Sequence, residues 1–286
     1  KQQFGLLPSE QQEIAVKMAF WYNTSIITGS PGTGKTTVLK MILEVYRKLH
    51  ADRKIILMAP TGRASRRMAE STGFEDAKTM HSSLGLVGEA DEERAKKEAL
   101  LDAGLIIIDE FSMVDMWLAM KFFTRLGEKT KIVMVGDPDQ LPSVGAGNVF
   151  HELIQCGLIP VTVLDQIFRQ SKDSLIAYNA KFINEGTSKL YYGNDFVFMN
   201  SDSQEETAEM IMELYLQEIA EHGIEKVQIL SPFRSEGAAS AEQLNAAIRE
   251  LVNPYCSEEE EIQLGVRRFR VGDRIMQTKN IEKVSN

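Results

Sequence analysis

Gly29-Ser30-Pro31-Gly32-Thr33-Gly34-Lys35-Thr36 is a complete GxxxxGK[ST] sequence, a pattern that ordinary residue usage produces by accident in about one chain of this length in a hundred. The glycines allow backbone N–H groups to turn inward around an anion, and a helix beginning at Lys35 adds the positive end of its dipole. Lys35 can reach the outer phosphates of a nucleoside triphosphate, and Thr36 offers a hydroxyl to Mg²⁺. The expected phosphate-binding set is therefore Gly29, Pro31, Gly32, Thr33, Gly34, Lys35, Thr36 and Thr37. The glycine order G-x-x-G-x-G disfavours a dinucleotide fingerprint, which needs G-x-G-x-x-G.

Two further segments carry chemistry. Leu105-Ile106-Ile107-Ile108-Asp109-Glu110 is an apolar run ending in two acids, as expected of a strand buried on both faces whose carboxyl end opens onto a ligand crevice. There Asp109 would hold Mg²⁺ through its water shell and Glu110 would orient and deprotonate an attacking water. Val135-Gly136-Asp137-Pro138-Asp139-Gln140-Leu141-Pro142-Ser143-Val144-Gly145 is another strand end followed by a loop. Gln140 both donates and accepts, which suits a residue sensing a terminal phosphate or its water; a plain Pro/Gly connection is the alternative.

Such groups converge only if a parallel sheet presents them at one edge. Through the first 165 residues, short apolar runs alternate with helix-period stretches, the pattern of a helix-covered parallel sheet. The pattern predicts strands at Thr24–Thr28, Lys54–Ala59, Leu105–Ile108, Lys131–Val135 and Pro160–Leu164. Helices are predicted at Ser9–Trp21, Lys35–Leu49, Gly62–Ser71, Met113–Leu126 and Asn148–Gln155. From Asp173 the alternation resumes: a helix to Asn184, a strand at Asp195–Met199, a helix at Asp202–Glu221, a strand at Val227–Leu230, a helix near Ala239–Leu251 and a strand at Asp273–Thr278. The expected division is a first α/β unit over 1–168, with a polar insertion near 85–103, and an unfinished second unit over 169–286. Further residues are expected beyond Asn286 and ahead of Lys1.

The chain has 286 residues, enough for about two domains, and 43% of them are apolar, which excludes a disordered or collagenous chain. Lys and Arg number 32 against 41 Asp and Glu, a net charge of −9, so contact with a polyanion must be local. Arg63, Arg66 and Arg67 form one dense basic patch, readable as a nucleic-acid contact or as a solvated face. Cys156 and Cys256 lack metal-ligand spacing and read as two buried thiols in a reducing compartment. No apolar stretch has spanning length and no signal peptide is visible, so a cytoplasmic protein without a membrane partner is expected. Glu92/Lys96 and Glu93/Lys97 at i,i+4 spacing predict a surface helix around Asp91–Leu101.

Taken together, these segments resemble superfamily 1B DNA helicases, most closely the RecD-like branch that includes the helicase parts of conjugative relaxases. The resemblance implies tandem RecA-like P-loop domains of the α/β class, the second incomplete here, and ATP with Mg²⁺ held so that both domains contact it. It gives Gln12, with Gln11 as the alternative, the place of the family's adenine-reading glutamine. Ala59-Pro60-Thr61-Gly62-Arg63-Ala64 is similar to motif Ia and Lys78-Thr79-Met80-His81 to the next Thr-x-His segment, both single-strand contacts in the family. Asp109-Glu110 is similar to motif II and Gly136–Gly145 to motif III. Leu164-Asp165-Gln166-Ile167-Phe168-Arg169-Gln170 is similar to motif IV, which implies that Arg169 is an arginine finger on the γ-phosphate.

Leu230-Ser231-Pro232-Phe233-Arg234, Gln243-Leu244-Asn245 and Phe269–Gln277 are similar to segments of the second motor domain. Val284-Ser285-Asn286 stops inside a turn that precedes motifs V and VI, so this chain would lack them. Where the family inserts a strand-separating β-hairpin, Gly85–Ala103 reads as a charged helix. The implied function is 5′-to-3′ movement on single-stranded DNA, with RNA the less expected track, by a monomeric motor that could join repair or recombination subunits. Pro60, Thr61, Arg63, His81, Ser143, Gly145, Ser231 and Arg234 are the implied nucleic-acid contacts. Two rivals are a P-loop ATPase acting as a protein-remodelling switch and a catalytically idle DNA-binding fragment.

Overall fold

The protein is described here from a computed structural model covering residues 8–86, 100–166, 174–255, 257, 261–265 and 267–275. It forms two compact units, Lys1–Tyr191 and Tyr192–Asn286. No helix among the described residues is long and apolar enough to cross a membrane.

In the first unit the element order is α1 (Glu10–Trp21), β1 (Thr24–Gly29), α2 (Lys35–Leu49), β2 (Ile55–Ala59), α3 (Gly62–Thr72), β3 (Lys78–Thr79) and α4 (Met80–Ser83). Then come β4 (Leu105–Ile108), a 3₁₀ turn at Phe111–Met113, α5 (Met116–Phe123), β5 (Lys131–Gly136), α6 (Val149–Gln155), β6 (Val161–Leu164) and α7 (Leu175–Asn184). The six strands form one sheet in the order β3-β2-β4-β5-β1-β6, with every pair parallel. Strand side chains alternate faces. Ile27, Ile107, Val133 and Val135 therefore pack with Ala15, Val38, Leu39 and Ile42 of α1 and α2. Ile26, Ile106, Ile108, Ile132 and Met134 pack with Phe111, Leu118, Phe122 and Phe150 on the other side. Covering both faces is what permits the uninterrupted apolar β4.

The topology sets the crevice. The chain leaves β1 toward β2 on one side and reaches β6 on the other, so the carboxyl ends of β4, β5 and β1 lie side by side where the winding reverses. Ile108 pairs with Met134, and Thr28 with Gly136, so the three strands leave the sheet at nearly one level.

Two expectations for this unit are corrected. The helix expected over Met113–Leu126 is split, because Asp115 accepts from Leu118 N at 2.8 Å and starts α5 only at Met116; a side-chain cap of this kind competes with helix continuation. Cys156 is exposed, not buried. It caps α6, whose buried face is used up by Val149 and Phe150. Cys256 and residues 87–99, which hold most of the expected insertion helix, lie outside the described residues.

In the second unit, α8 (Gln204–His222) and α9 (Ala241–Val252) begin at side-chain caps from Ser203 and Ser240. β7 (Glu261–Leu264) pairs antiparallel with β8 (Arg267–Arg270). The strands expected at Asp195–Met199 and Val227–Leu230 do not form: the first leaves only a bridge between Gly193 and Phe196, and Leu230 is 89% exposed. Both runs are apolar, but neither has a partner strand among the described residues, and a lone strand leaves its backbone groups to solvent. Asp273, expected to open another strand, accepts from Arg270 N at 2.7 Å and from Arg249 Nε and Asn253 Nδ2 instead. Burial alone would raise its pKa, yet those three bonds hold it below the usual carboxylate value.

Candidate nucleotide and nucleic-acid site

The loop between β1 and α2 has the form that a phosphate requires. Gly34 stands at the N-cap of α2 in the left-handed region, φ 85° and ψ 24°, with no side-chain cap, so the first N–H groups of the helix face outward from its positive end. Gly32 is also left-handed at φ 85°. A Cβ at Gly29 would lie 2.5 Å from the Leu164 carbonyl oxygen and 2.8 Å from Thr33 Oγ1, so glycine is required there by close approach. The buried Thr33 braces the loop by donating to Ser30 O at 2.8 Å. Lys35 donates to the carbonyls of Gly29 and Ser30, which draws its ammonium over the loop. Thr36 and Pro31 are exposed and Thr37 half-buried.

Asp109 and Glu110 leave the end of β4. The pKa of Asp109 is raised to about 6, first by burial and then by the Glu110 carboxylate, while the Glu110 N–H and the charges of Lys35 and Arg67 oppose the rise. Lys35 and Asp109 thus lie within electrostatic reach of each other. Glu110 sits at φ 53° and ψ 40°, the one non-glycine with positive φ among the described residues. This kink ends the strand and turns the chain into the Phe111–Met113 turn. From β5, the buried Asp137 accepts from Gln140 Nε2 at 3.1 Å and from Asp139 N at 3.1 Å, so Gln140 is aimed by a rigid neighbour. Asp137 is not among the residues expected to act; its signal is an acid at a strand end three residues before Gln140.

Gln12 is buried on α1. Its Oε1 accepts from Ser9 N at 3.1 Å while its own N–H donates to Ser9 Oγ at 3.2 Å, a capping box. Gln11 Oε1 instead accepts from Asp165 N at 3.3 Å, just past β6. Arg169 lies outside the described residues.

The expected nucleic-acid contacts of the first unit fall along the same edge of the sheet. Ala59 pairs with Thr79, so Pro60-Thr61 and Met80-His81 leave it together. Thr61 caps α3 through Ala64 N at 3.2 Å, and Arg63 on its first turn is exposed. His81 is exposed on α4, its ring 6.4 Å from Trp117. Ser143 Oγ donates to Gly145 O at 3.0 Å and to Gly147 O at 2.9 Å, and Met116 N donates to Ala146 O at 2.9 Å, which seats that loop on α5. In the second unit Ser231 Oγ is committed to Ala239 O at 2.8 Å. Arg234 pairs with Glu242 at 3.3 Å, its side chain 79% exposed.

The AAA domain family matches residues 12–146. The ATP-dependent RecD2 DNA helicase of Deinococcus radiodurans is 30% identical over 272 residues, 95% of this chain and 36% of that protein. The RecBCD enzyme subunit RecD of Haemophilus influenzae is 36% identical over 168 residues, 51% of this chain and 26% of that protein. Pif1 helicase from Candida albicans superposes with a TM-score of 0.50 at 26% identity, over 64% of this chain and 45% of that one. The chain is similar to RecD-like superfamily 1 helicases across 95% of its length. It spans 36% and 26% of the two RecD relatives. The stretch the AAA domain family matches, 12–146, holds Lys35, Asp109, Glu110 and Gln140 together with Thr61, Arg63, His81 and Ser143.

Proposed function

We propose that the chain is the ATP-hydrolysing part of a DNA helicase or translocase that moves 5′ to 3′ on single-stranded DNA, RNA being the less favoured track. The observation that carries this reading is the convergence of three strand ends: β1 with Lys35, β4 with Asp109 and Glu110, and β5 with Gln140. The left-handed, uncapped start of α2 and the loop that a Cβ at Gly29 would fill suit the phosphates of ATP. Mg²⁺, held from Thr36 and Asp109, would neutralise charge on the β- and γ-phosphates. Lys35 steadies the transferred phosphoryl group, Glu110 takes the proton of the attacking water, and Gln140, aimed by Asp137, senses that water. Arg169 supplies positive charge to the same phosphoryl group, and Gln12 or Gln11 reads the base.

Pro60, Thr61, Arg63, His81, Ser143 and Gly145 hold the strand on the first unit, with Ser231 and Arg234 on the second. The motor works as a monomer in the cytoplasm; because one relative is a subunit of the RecBCD enzyme, accessory repair or recombination subunits are proposed as partners. The test is the ATPase rate with and without single-stranded DNA. Stimulation is expected, and Lys35→Ala should lower the rate by roughly 10²-fold or more. Hydrolysis indifferent to DNA would point to a protein-remodelling ATPase, and unwinding confined to 3′-tailed duplexes would reverse the polarity.

A further inference from the structure

Trp117 is 49% exposed on α5. Leu118, Ala119 and Phe122 take the buried side of that helix, leaving Met116, Trp117, Met120 and Lys121 outward. An exposed indole forfeits the gain from burying its area, so its surroundings say what could cover it. The Lys121 ammonium stands 6.0 Å from the Trp117 ring centroid. The His81 ring approaches from α4, with 31° between the two planes. Buried Arg125, which follows α5, donates to Leu84 O just past α4, so the two helices that carry the rings are tied together. The nearby acid Asp115 is turned inward: it caps α5, and its carboxylate fills the space beside Gly145.

We infer that Trp117 is a base-stacking platform for single-stranded nucleic acid, with His81 beside it and Lys121 facing the strand's phosphates. The inference rests on the helicase reading above and adds a residue to its track. An aromatic face stacks on any base and a neighbouring cation meets the backbone, the pairing found in sequence-tolerant strand grooves. The position fits as well. Thr61 and His81 leave the sheet together at the ends of β2 and β3, Trp117 lies next to His81, and the Ser143–Gly147 loop is bonded to Met116. Trp117 thus fills the gap in a strip running from Thr61 to Ser143. The Lys121 ammonium, the polar His81 ring and the inward acid favour a polyanion over an apolar protein partner.

The chain has two tryptophans, so Trp21→Phe leaves Trp117 as the reporter. Oligodeoxythymidylate should quench its fluorescence. Trp117→Ala should bind the same oligonucleotide roughly tenfold more weakly, Trp117→Phe should recover most of the loss, and an abasic strand of equal length should bind the parent and Trp117→Ala alike. Equal oligonucleotide affinity in the parent and Trp117→Ala, or binding without quenching, would overturn the platform and leave this face to a protein partner. A parent that neither binds oligodeoxythymidylate nor hydrolyses ATP faster in its presence would instead overturn the helicase reading itself.

Discussion

Asp109 is a liability to the folded chain in proportion to its use. Its carboxyl is held at about 6 against an ordinary 3.8, so the folded state keeps the proton more tightly than the unfolded one. Below the ordinary value both states are protonated and nothing is lost; as pH rises from about 4 to 6 the unfolded state ionises first and stability falls; above 6 the loss is complete. Asp109→Asn, assayed without Mg²⁺ in chelator, should therefore be more stable than the parent at pH 8, by about 1–3 kcal/mol after allowance for partial exposure. The gain should vanish near pH 4, as denaturant titrations across that range would show. Glu110 adds a second strain, since a left-handed non-glycine costs roughly 1–2 kcal/mol. Glu110→Gln should keep nucleotide binding and lose about 10²–10⁴-fold in hydrolysis, whereas Glu110→Gly should lose hydrolysis while melting no lower than Glu110→Gln. The places of Lys35 at the start of α2 and of Asp109 and Glu110 past the end of β4 were legible in the sequence, because a glycine loop precedes the one and an apolar buried strand the others. The capping box of Gln12 was not, because a buried amide and a solvated one have the same spelling.

The elements explain why such residues meet. β1 and β6 are neighbours, and the P-loop turns beneath the end of β6 with no room for a side chain at Gly29. Gly29→Ala would press a methyl against the Leu164 backbone carbonyl, which only separation of the two strands can relieve. Loss of ATP binding and a stability cost of about 1–3 kcal/mol are expected; calorimetric titration and thermal melting would measure them. Strands β1, β4 and β5 were readable because parallel strands buried on both faces must be apolar throughout. The same signal misled at Val227–Leu230, since an apolar run states a need for neighbours without supplying them. At α5, periodicity suggested one helix from Met113, and the Asp115 cap with the left-handed Glu110 moved its start. That shift puts Trp117 on the first turn of α5, which the Arg125–Leu84 bond ties to α4 and His81, a placement that escapes pattern reading.

At the scale of the whole molecule, the net charge of −9 repels a nucleic acid, so an affinity for it must come from a few cations and from contacts indifferent to salt. Arg63 and Lys121 on the first unit and Arg234 on the second are the proposed phosphate contacts. Three such contacts on a single strand give a slope of about −2 in log affinity against log salt concentration. A slope of about −5 or steeper would mean that many more of the chain's cations engage the strand, and the local-track description would be wrong. The two kinds of contact also separate by their salt response. Arg63→Ala should flatten the slope by roughly 0.7, because one fewer counterion is released. Trp117→Ala should lower affinity by the same factor at every salt concentration and leave the slope unchanged, because stacking releases no counterions; fluorescence-anisotropy titrations from low to high salt would resolve the two effects.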